Sequence, residues 1–404
     1  MEEKLFHNEY YWTSPYNYID EVRAKFQLPE KIKFHDVTLR DGEQSPGVAF
    51  RAEDKVAIAK LLDELGVDRI EVALPAVSQE DLKATKNIVA LGLNAKIFVL
   101  SRGIASDVEA ALDCGVDGII LELPVGIPRL KYQFPTWTED DVVNKAIQWA
   151  KFAKSNGLEV VLFPMDCTRS NPEFFARFLH EAGALPEVDG VCLVDTSGSL
   201  TPQAAVWLVN KMKEITHKRI EVHTHTDFGM GVATSLAAIT AGAEVIHASI
   251  AGLGERSGNT PLDEAAISAK ALYGLECNIK YEKLLEVSTK VLELSKFQIA
   301  PSKPVIGERA FTRESGMGVD LVKKQPLALF GINPTWVGQK PKYVLGKKSG
   351  LASITMKLED LGMPDLPDEK KLEILNKVKM LSLKKKGLVN DDEFIEIVKE
   401  VNQK

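Results

Sequence analysis

The sequence predicts an α/β protein in which a (β/α)8 TIM barrel is followed by a small, mainly helical C-terminal subdomain. Eight short apolar, β-branched segments recur, and stretches of helical period fill the gaps between them. This alternation implies parallel strands with helical crossovers. The strands are too apolar to face water on either side, which favours a closed barrel over an open sheet. The predicted strands are Phe34–Leu39, Arg69–Leu74, Lys96–Leu100, Gly118–Leu123, Glu159–Phe163, Gly190–Asp195, Arg219–His225 and Val245–Ile250.

Four segments are expected along the chain. The 404 residues exceed the roughly 250 of a typical barrel, which leaves material for an appendage. An aromatic-rich N-terminal arm, 1–30, is expected to pack on its own barrel or on a partner subunit. The barrel is expected over 31–290, a linker or first subdomain over 291–350, and a second subdomain of lysine-rich amphipathic helices over 351–404.

The composition argues against several classes of partner. The formal net charge is −7 and no Lys/Arg-rich stripe occurs, so we expect no nucleic-acid partner, because phosphate backbones bind clustered positive charge. No apolar run approaches the roughly 20 residues that span a bilayer, and the acidic N-terminus lacks the pattern of a signal peptide. The four cysteines are scattered without metal-binding spacing. These features predict a cytoplasmic protein with no membrane partner.

The ends of the predicted strands contain a candidate metal site, because the working residues of a TIM barrel lie at the C-terminal ends of its strands. His223 and His225 stand at i and i+2 on the seventh strand, so their imidazoles project to the same face. Asp41 after the first strand and Asn259 after the eighth bring oxygen ligands to the same mouth. Two nitrogens and a carboxylate form a facial set that suits Mn, Fe, Co or Zn and leaves positions for substrate.

Arg40 and Thr196 are candidates for contact with a substrate. A guanidinium beside a metal-bound ketone polarises the carbonyl and stabilises the developing alkoxide. The alternative for Arg40 is a structural salt bridge. Thr196, next to Asp195 at the end of the sixth strand, offers a hydroxyl to a substrate carboxylate. The alternative for this threonine is a helix cap before the segment SLTPQAA.

Five motifs together resemble a known superfamily. They are HDVTLRDGEQSPGV, HTHTDFG, GLGERSGNTPLDE, PSKPVIGERAFTRESG and VLGKKSGLA, and they run in order from about residue 33 to 358. In this order and spacing they resemble the DRE-TIM metallolyases, and more narrowly the isopropylmalate, homocitrate and citramalate synthase branch. The resemblance stops before the larger C-terminal regulatory domain of typical isopropylmalate synthases, and we expect this chain to lack that domain.

The resemblance implies a Claisen-type condensation of an acyl-CoA, with acetyl-CoA as the expected donor, with a 2-oxo acid, followed by hydrolysis of the thioester. The product would be a 2-hydroxy-2-alkyl dicarboxylic or tricarboxylic acid, and a homodimer is expected. A divalent metal, Mg, Mn or Zn, would act as Lewis acid on the oxo acid. Carried over motif by motif, the resemblance assigns four metal ligands: Asp41, His223, His225 and Asn259. It places Arg40 at the ketone oxygen of the substrate and Thr196 at its carboxylate. Gln44 and Glu255 take supporting positions.

The chain departs from the family pattern where acid/base groups are expected. Met165 stands where relatives carry a glutamate, and Gly318 where they carry a histidine implicated in proton transfer. Arg129 replaces a histidine on the fourth βα loop. Val161 and Phe163 stand where homocitrate synthases present an arginine and a serine, so 2-oxoglutarate is a poor candidate substrate.

Three functional hypotheses follow. The first is the condensation, with proton transfer by other groups. The second is a metal-dependent lyase or aldolase that acts on a related branched hydroxy acid without CoA, and the third is a non-catalytic binding protein that keeps the metal site. For the first, the predicted catalytic residues are Arg40 and Glu314, and the predicted substrate-binding residues are Arg40, Gln44, Thr196, Arg129 and Met165.

Overall fold

The computed structural model describes residues 2–403 and divides them into two compact units. Residues 15–299 form the first, which we call the barrel unit. Residues 2–14 and 300–403 form the second, which we call the C-terminal unit. The expected arm, 1–30, is therefore shared between the two units.

The barrel unit contains a closed ring of eight parallel strands. The strands pair in chain order, and β1 closes the ring against β8, with His35 beside His247. This topology confirms the predicted fold class. The strands are β1 Lys33–Asp36, β2 Arg69–Glu71, β3 Lys96–Ser101, β4 Gly118–Pro124, β5 Glu159–Met165, β6 Gly190–Asp195, β7 Arg219–Thr224 and β8 Val245–Ala248.

Each of these strands is followed by a helix, as the alternating pattern predicted. Local sequence sets where the helices begin and end. Thr138 and Asp141 form a capping box at the start of the longest helix of the barrel unit, and Gly66, with φ +96°, ends another in the left-handed region that favours glycine. The helices are α1 Asp20–Arg23, α2 Ala52–Leu65, α3 Gln79–Val89, α4 Ala105–Cys114, α5 Glu139–Ser155, α6 Pro172–Phe178, α7 Pro202–Thr216, α8 Gly231–Thr240, α9 Leu262–Tyr273 and α10 Leu284–Ser295.

Strand β1 ends three residues earlier than predicted, and its last side chain explains why. The Asp36 carboxylate accepts hydrogen bonds from the backbone N–H of Thr38 at 2.9 Å and from its hydroxyl at 3.0 Å. This local pairing competes with the strand ladder and turns the chain. The turn places the following residues, Arg40 and Asp41, at the mouth of the barrel instead of in its wall.

Ion pairs occupy the barrel interior near the N-terminal ends of the strands. Arg69 contacts Glu221 at 2.9 Å and Glu159 at 2.7 Å, and Arg219 lies 2.9 Å from each of the same two carboxylates. Burial alone would raise the pKa of Glu221, but Arg69 and His247 hold it well below its usual range. Glu221 is therefore a buried anion that depends on these partners.

The C-terminal unit is a short two-stranded sheet with helices. The strands β9 Thr312–Arg313 and β10 Lys342–Tyr343 are parallel. An apolar cluster that includes Ile374 and Phe394 forms its core. Residues 2–14 belong to this unit, where the Trp12 N–H donates to the Gly331 carbonyl at 3.0 Å. Its helices are α11 Leu321–Lys324, α12 Leu351–Asp360, α13 Asp368–Lys385 and α14 Asp391–Asn402.

Within residues 2–403, no helix combines the length and the apolar character needed to cross a membrane. Three of the four cysteines, Cys114, Cys167 and Cys192, are buried as small core residues, and all four are free thiols.

We expect the Glu221→Gln variant to lose about 3–5 kcal/mol of unfolding free energy, because it leaves buried arginine charges without their partner. Chemical denaturation of both proteins at pH 7 measures the difference. The control is Glu214→Gln on the exposed Lys211–Glu214 pair, which should change stability little. Equal stability of Glu221→Gln and the parent protein would contradict the role assigned to these interior ion pairs.

Candidate metal centre

Asp41 lies in the turn that follows β1, and its carboxylate is held from one side. The Gly42 N–H donates to the Val37 carbonyl at 2.9 Å, which closes the turn. The Gln44 side-chain amide donates to Asp41 Oδ1 at 2.5 Å. The structure therefore places Gln44, an expected substrate contact, against a candidate metal ligand.

The second carboxylate oxygen of Asp41 meets the two histidines of β7 and its end. His223 Nε2 lies 3.2 Å from Asp41 Oδ2, and His225 Nε2 lies 3.7 Å from the same oxygen. The two Nε2 atoms are 3.3 Å apart. Atoms bound to one ion at 2.0–2.2 Å lie about 3.0–3.4 Å from each other, so these separations approach those of ligands around one divalent metal.

Asn259 is brought beside this trio by a backbone bridge to His225. Its amide nitrogen donates to the Leu253 carbonyl at 2.9 Å, whereas its Oδ1 is buried and has no partner within the described chain. A buried acceptor without a donor is uncommon, and a bound cation would satisfy it. Glu255, an expected supporting residue, pairs instead with Arg256 at 3.0 Å on an exposed surface.

The charges of the trio suit metal binding. Burial and the neighbouring His223 lower the pKa of His225 to about 4, so its imidazole is neutral at pH 7. Burial alone would raise the pKa of Asp41, but Arg40 and His223 hold it well below its usual range. A neutral imidazole and an ionised carboxylate are the forms that bind a metal ion.

Arg40 fits both interpretations offered by its sequence position. It makes a bidentate ion pair with the buried Glu71, with Nε 2.7 Å from Oε1 and Nη2 3.2 Å from Oε2. Its third nitrogen, Nη1, lies 3.8 Å from Asp41 Oδ1. The pair with Glu71 is thus a structural salt bridge, and it also aims Nη1 towards the candidate metal centre.

A second group, His35, Glu71 and His247, also has ligand atoms close enough for a metal. Its contacts favour a structural role. His35 Nε2 lies 3.2 Å from Glu71, and His247 Nε2 lies 2.9 Å from Glu221. Each of these carboxylates already pairs with arginine, so the interior charges balance without an added cation. We interpret this group as support for Glu71 and, through it, for Arg40.

Thr196 does not cap a helix. The residue that caps α7 is Thr201, whose hydroxyl accepts the Ala204 N–H at 3.3 Å. Thr196 is nearly buried, and its Oγ1 accepts the Asp166 N–H at 3.0 Å. The helix-cap alternative is therefore wrong. Among residues 2–403 the Thr196 hydroxyl donates to no protein group, so its hydrogen is available to a ligand at the end of β6.

Met165 and Arg129 lie near one another at the ends of β4 and β5. Met165 lines a cavity of about 240 Å³ together with Glu122, Phe134 and Trp137. Arg129 donates to the Gln133 side chain at 2.9 Å, and its Nε lies 3.9 Å from Asp166 Oδ2. Arg129 therefore already has polar neighbours, and Met165 forms an apolar part of the cavity wall.

Two further positions named from the sequence, Glu314 and Gly318, belong to the C-terminal unit. Glu314 Oε1 accepts the Lys348 backbone N–H at 3.0 Å. Gly318 has φ +67°, a conformation in which any side chain would be strained. The backbone thus favours glycine over histidine at this position.

Glu71 and Glu122 were absent from the predicted site residues. Each is the single carboxylate of its strand segment, in RIEVALP, where Arg69 is the one other charged residue, and in GIILELP, where every other residue is apolar or glycine. A charged side chain on the inner face of a barrel needs either a compensating partner or a function. The carboxylate in each of these strands was therefore the sequence feature that could have identified both residues.

Comparison with known proteins agrees with this architecture. Residues 31–291 match the family model described as HMGL-like, and residues 305–386 match the one described as homocitrate synthase post-HMGL domain-like. The fold resembles solved structures of HMG-CoA lyases. For the enzyme of Pseudomonas aeruginosa, the TM-score is 0.60 at 20% identity, and the match covers 67% of this chain and 95% of the other.

Curated relatives are more similar in sequence. The homocitrate synthase AksA of Methanopyrus kandleri is 40% identical over 95% of this chain and 96% of its own length. Two proteins of Methanocaldococcus jannaschii are also similar. The (R)-citramalate synthase CimA is 39% identical over 92% of this chain and 75% of its own length. The 2-isopropylmalate synthase is 37% identical over 93% of this chain and 72% of its own length. The predicted resemblance is confirmed: this chain belongs to the HMGL-like family of TIM-barrel proteins, in the branch of the homocitrate, citramalate and isopropylmalate synthases.

Proposed function

We propose that this protein catalyses a divalent-metal-dependent Claisen-type condensation of an acyl-CoA, acetyl-CoA in the first instance, with a 2-oxo acid. The observation that carries the proposal is the convergence of Asp41, His223 and His225, with Arg40 beside them. The condensing activities in the names of the curated relatives support the same class of reaction.

Different residues of this chain would bind the metal ion, the ketone oxygen and the carboxylate of the oxo acid. Asp41, His223 and His225, with Asn259 Oδ1, would hold the metal, which supplies Lewis-acid polarisation of the ketone when bound. Arg40 Nη1 would donate to the ketone oxygen, because Glu71 fixes the other face of the guanidinium. The Thr196 hydroxyl would donate to the substrate carboxylate.

A second candidate function is a metal-dependent lyase or aldolase that does not use CoA. The observation that favours it is the apolar Met165 in the cavity wall, together with Gly318, whose positive φ favours glycine over a residue with a side chain. Neither position offers the acid/base group that a thioester condensation would take from it.

Release of free CoA thiol separates the two candidates. We expect thiol release with Mg²⁺ or Mn²⁺, acetyl-CoA and one member of a panel comprising pyruvate, oxaloacetate, 2-oxoisovalerate and 2-oxoglutarate. We expect the rate with 2-oxoglutarate to be low, because Val161 and Phe163 are buried apolar residues. If no member releases thiol while a branched hydroxy acid yields a 2-oxo acid without CoA, the lyase is the correct function.

Metal binding can be tested without knowing the substrate. We expect Mn²⁺ to raise the melting temperature of the parent protein, and Asp41→Asn and His223→Ala to lose that increase, because each removes a ligand. The matched control is His180→Ala, at an exposed histidine outside the site, which should keep the full increase. Retention of the increase in both ligand variants would place the ion elsewhere.

We expect Arg40→Lys to lower kcat by about 10²–10³-fold, because an ammonium cannot pair bidentately with Glu71 and reach the ketone oxygen at once. Steady-state kinetics with the accepted oxo acid measure the loss. The Mn²⁺-induced stabilisation should persist, since no ligand is removed. A kcat equal to that of the parent would exclude Arg40 from stabilising the oxyanion.

A further inference from the structure

Proton transfer is the part of the reaction for which the metal centre offers no residue. A condensation needs a base to take a proton from the carbon beside the thioester carbonyl. Met165 and Gly318 carry no titratable group, and the Glu314 carboxylate accepts a backbone N–H within the C-terminal unit. A base for this step must therefore come from another carboxylate at the mouth of the barrel.

Glu122 faces the barrel interior at the level of the metal centre. In the β4–β5 register it stands opposite Phe163, and directly paired residues of neighbouring strands share a face. The Phe163 ring lies with its centroid 5.1 Å from that of His223. The Glu122 side chain therefore shares the inner face of the barrel with a residue that contacts a candidate metal ligand.

Glu122 differs from the other carboxylates of the interior in having no partner. Glu71, Glu159 and Glu221 each contact an arginine within 3.0 Å. Across residues 2–403, no hydrogen bond or ion pair reaches the Glu122 carboxylate. It lines the cavity of about 240 Å³ beside Met165 instead. The Glu122 side chain is partly exposed, so its carboxylate is open to a ligand in this cavity and is not held in an ion pair as the buried carboxylates are.

The surroundings raise the pKa of the Glu122 carboxyl. Burial, reinforced by Glu71 and Asp41 and opposed by Arg40, raises the pKa of Glu122 to about 7. A carboxyl group with a pKa near the working pH can both take up and release a proton.

We propose that Glu122 is the acid/base residue of this enzyme, taking the proton from the acyl group seated in the cavity beside Met165. The inference rests on the proposed condensation. The Glu122 carboxylate takes the proton from the carbon next to the thioester carbonyl, and the electron pair of that C–H bond forms the enolate. The enolate carbon bonds to the ketone carbon, and the ketone π electrons become an alkoxide beside Arg40. The alkoxide takes a proton from water and Glu122 releases its own to water, so charge and atoms balance.

Kinetics of thiol release across about pH 6–9 test this role, with the oxo acid that the parent enzyme accepts. We expect Glu122→Gln to lower kcat by about 10²–10⁴-fold with KM for the oxo acid nearly unchanged. Glu122→Asp should retain an intermediate rate. The parent should lose activity as pH falls, because the base becomes protonated, and the residual activity of Glu122→Gln should lack this acid limb. The charged groups near enough to act on the Glu122 charge are Arg40, Asp41, Glu71, Arg129 and Arg102.

The matched control is Glu109→Gln, at an exposed position on α4, which should behave as the parent. The Mn²⁺-induced rise in melting temperature must persist in Glu122→Gln. Its loss would assign Glu122 a structural role and overturn the inference. A Glu122→Gln kcat within about threefold of the parent would also overturn it, while the condensation would stand. Absence of thiol release by the parent protein with every oxo acid would overturn the condensation itself, and the inference with it.

Discussion

The buried ion pair between Arg40 and Glu71 joins the interior of the barrel to its mouth. Glu71 accepts from Arg40 on one side and lies 3.2 Å from His35 on the other. His35 stacks on His247, which reaches Glu221 and thereby the arginines at the opposite end of the strands. Each charge along this line is compensated by its neighbours, so an arginine can be held rigidly beside Asp41. A guanidinium without Glu71 would turn towards Asp41 and compete with a metal ion for it.

This arrangement holds the side chains at the mouth of the barrel in the positions that metal and substrate binding would require. Asp41 is fixed by Gln44, and the histidines project from the rigid end of β7. Catalytic groups on strand ends keep their geometry better than groups on free loops, because the hydrogen-bonded ladder carries them. Binding of a cation here would then need little rearrangement, and the oxo acid would meet Arg40 already aimed.

The sequence predicted the barrel and the metal trio for physical reasons that act locally. Strand–helix periodicity is a property of neighbouring residues, and the i, i+2 spacing of His223 and His225 determines their common face. The interior partners Glu71 and Glu122 depend instead on which strands meet across the ring. A charged residue in an apolar strand is visible in the sequence, but whether an arginine compensates it is a long-range property. The same holds for Thr196, whose bond to the Asp166 backbone joins two different strand ends.

Crystals grown with Mn²⁺ and an accepted 2-oxo acid would test the central claim most directly. Anomalous diffraction should place one manganese ion between Asp41, His223 and His225, within bonding distance of Asn259 Oδ1. The oxo acid should chelate that ion with its ketone oxygen in hydrogen-bonding distance of Arg40. An ion found at His35 and His247, or an oxo acid bound away from Arg40, would contradict the account.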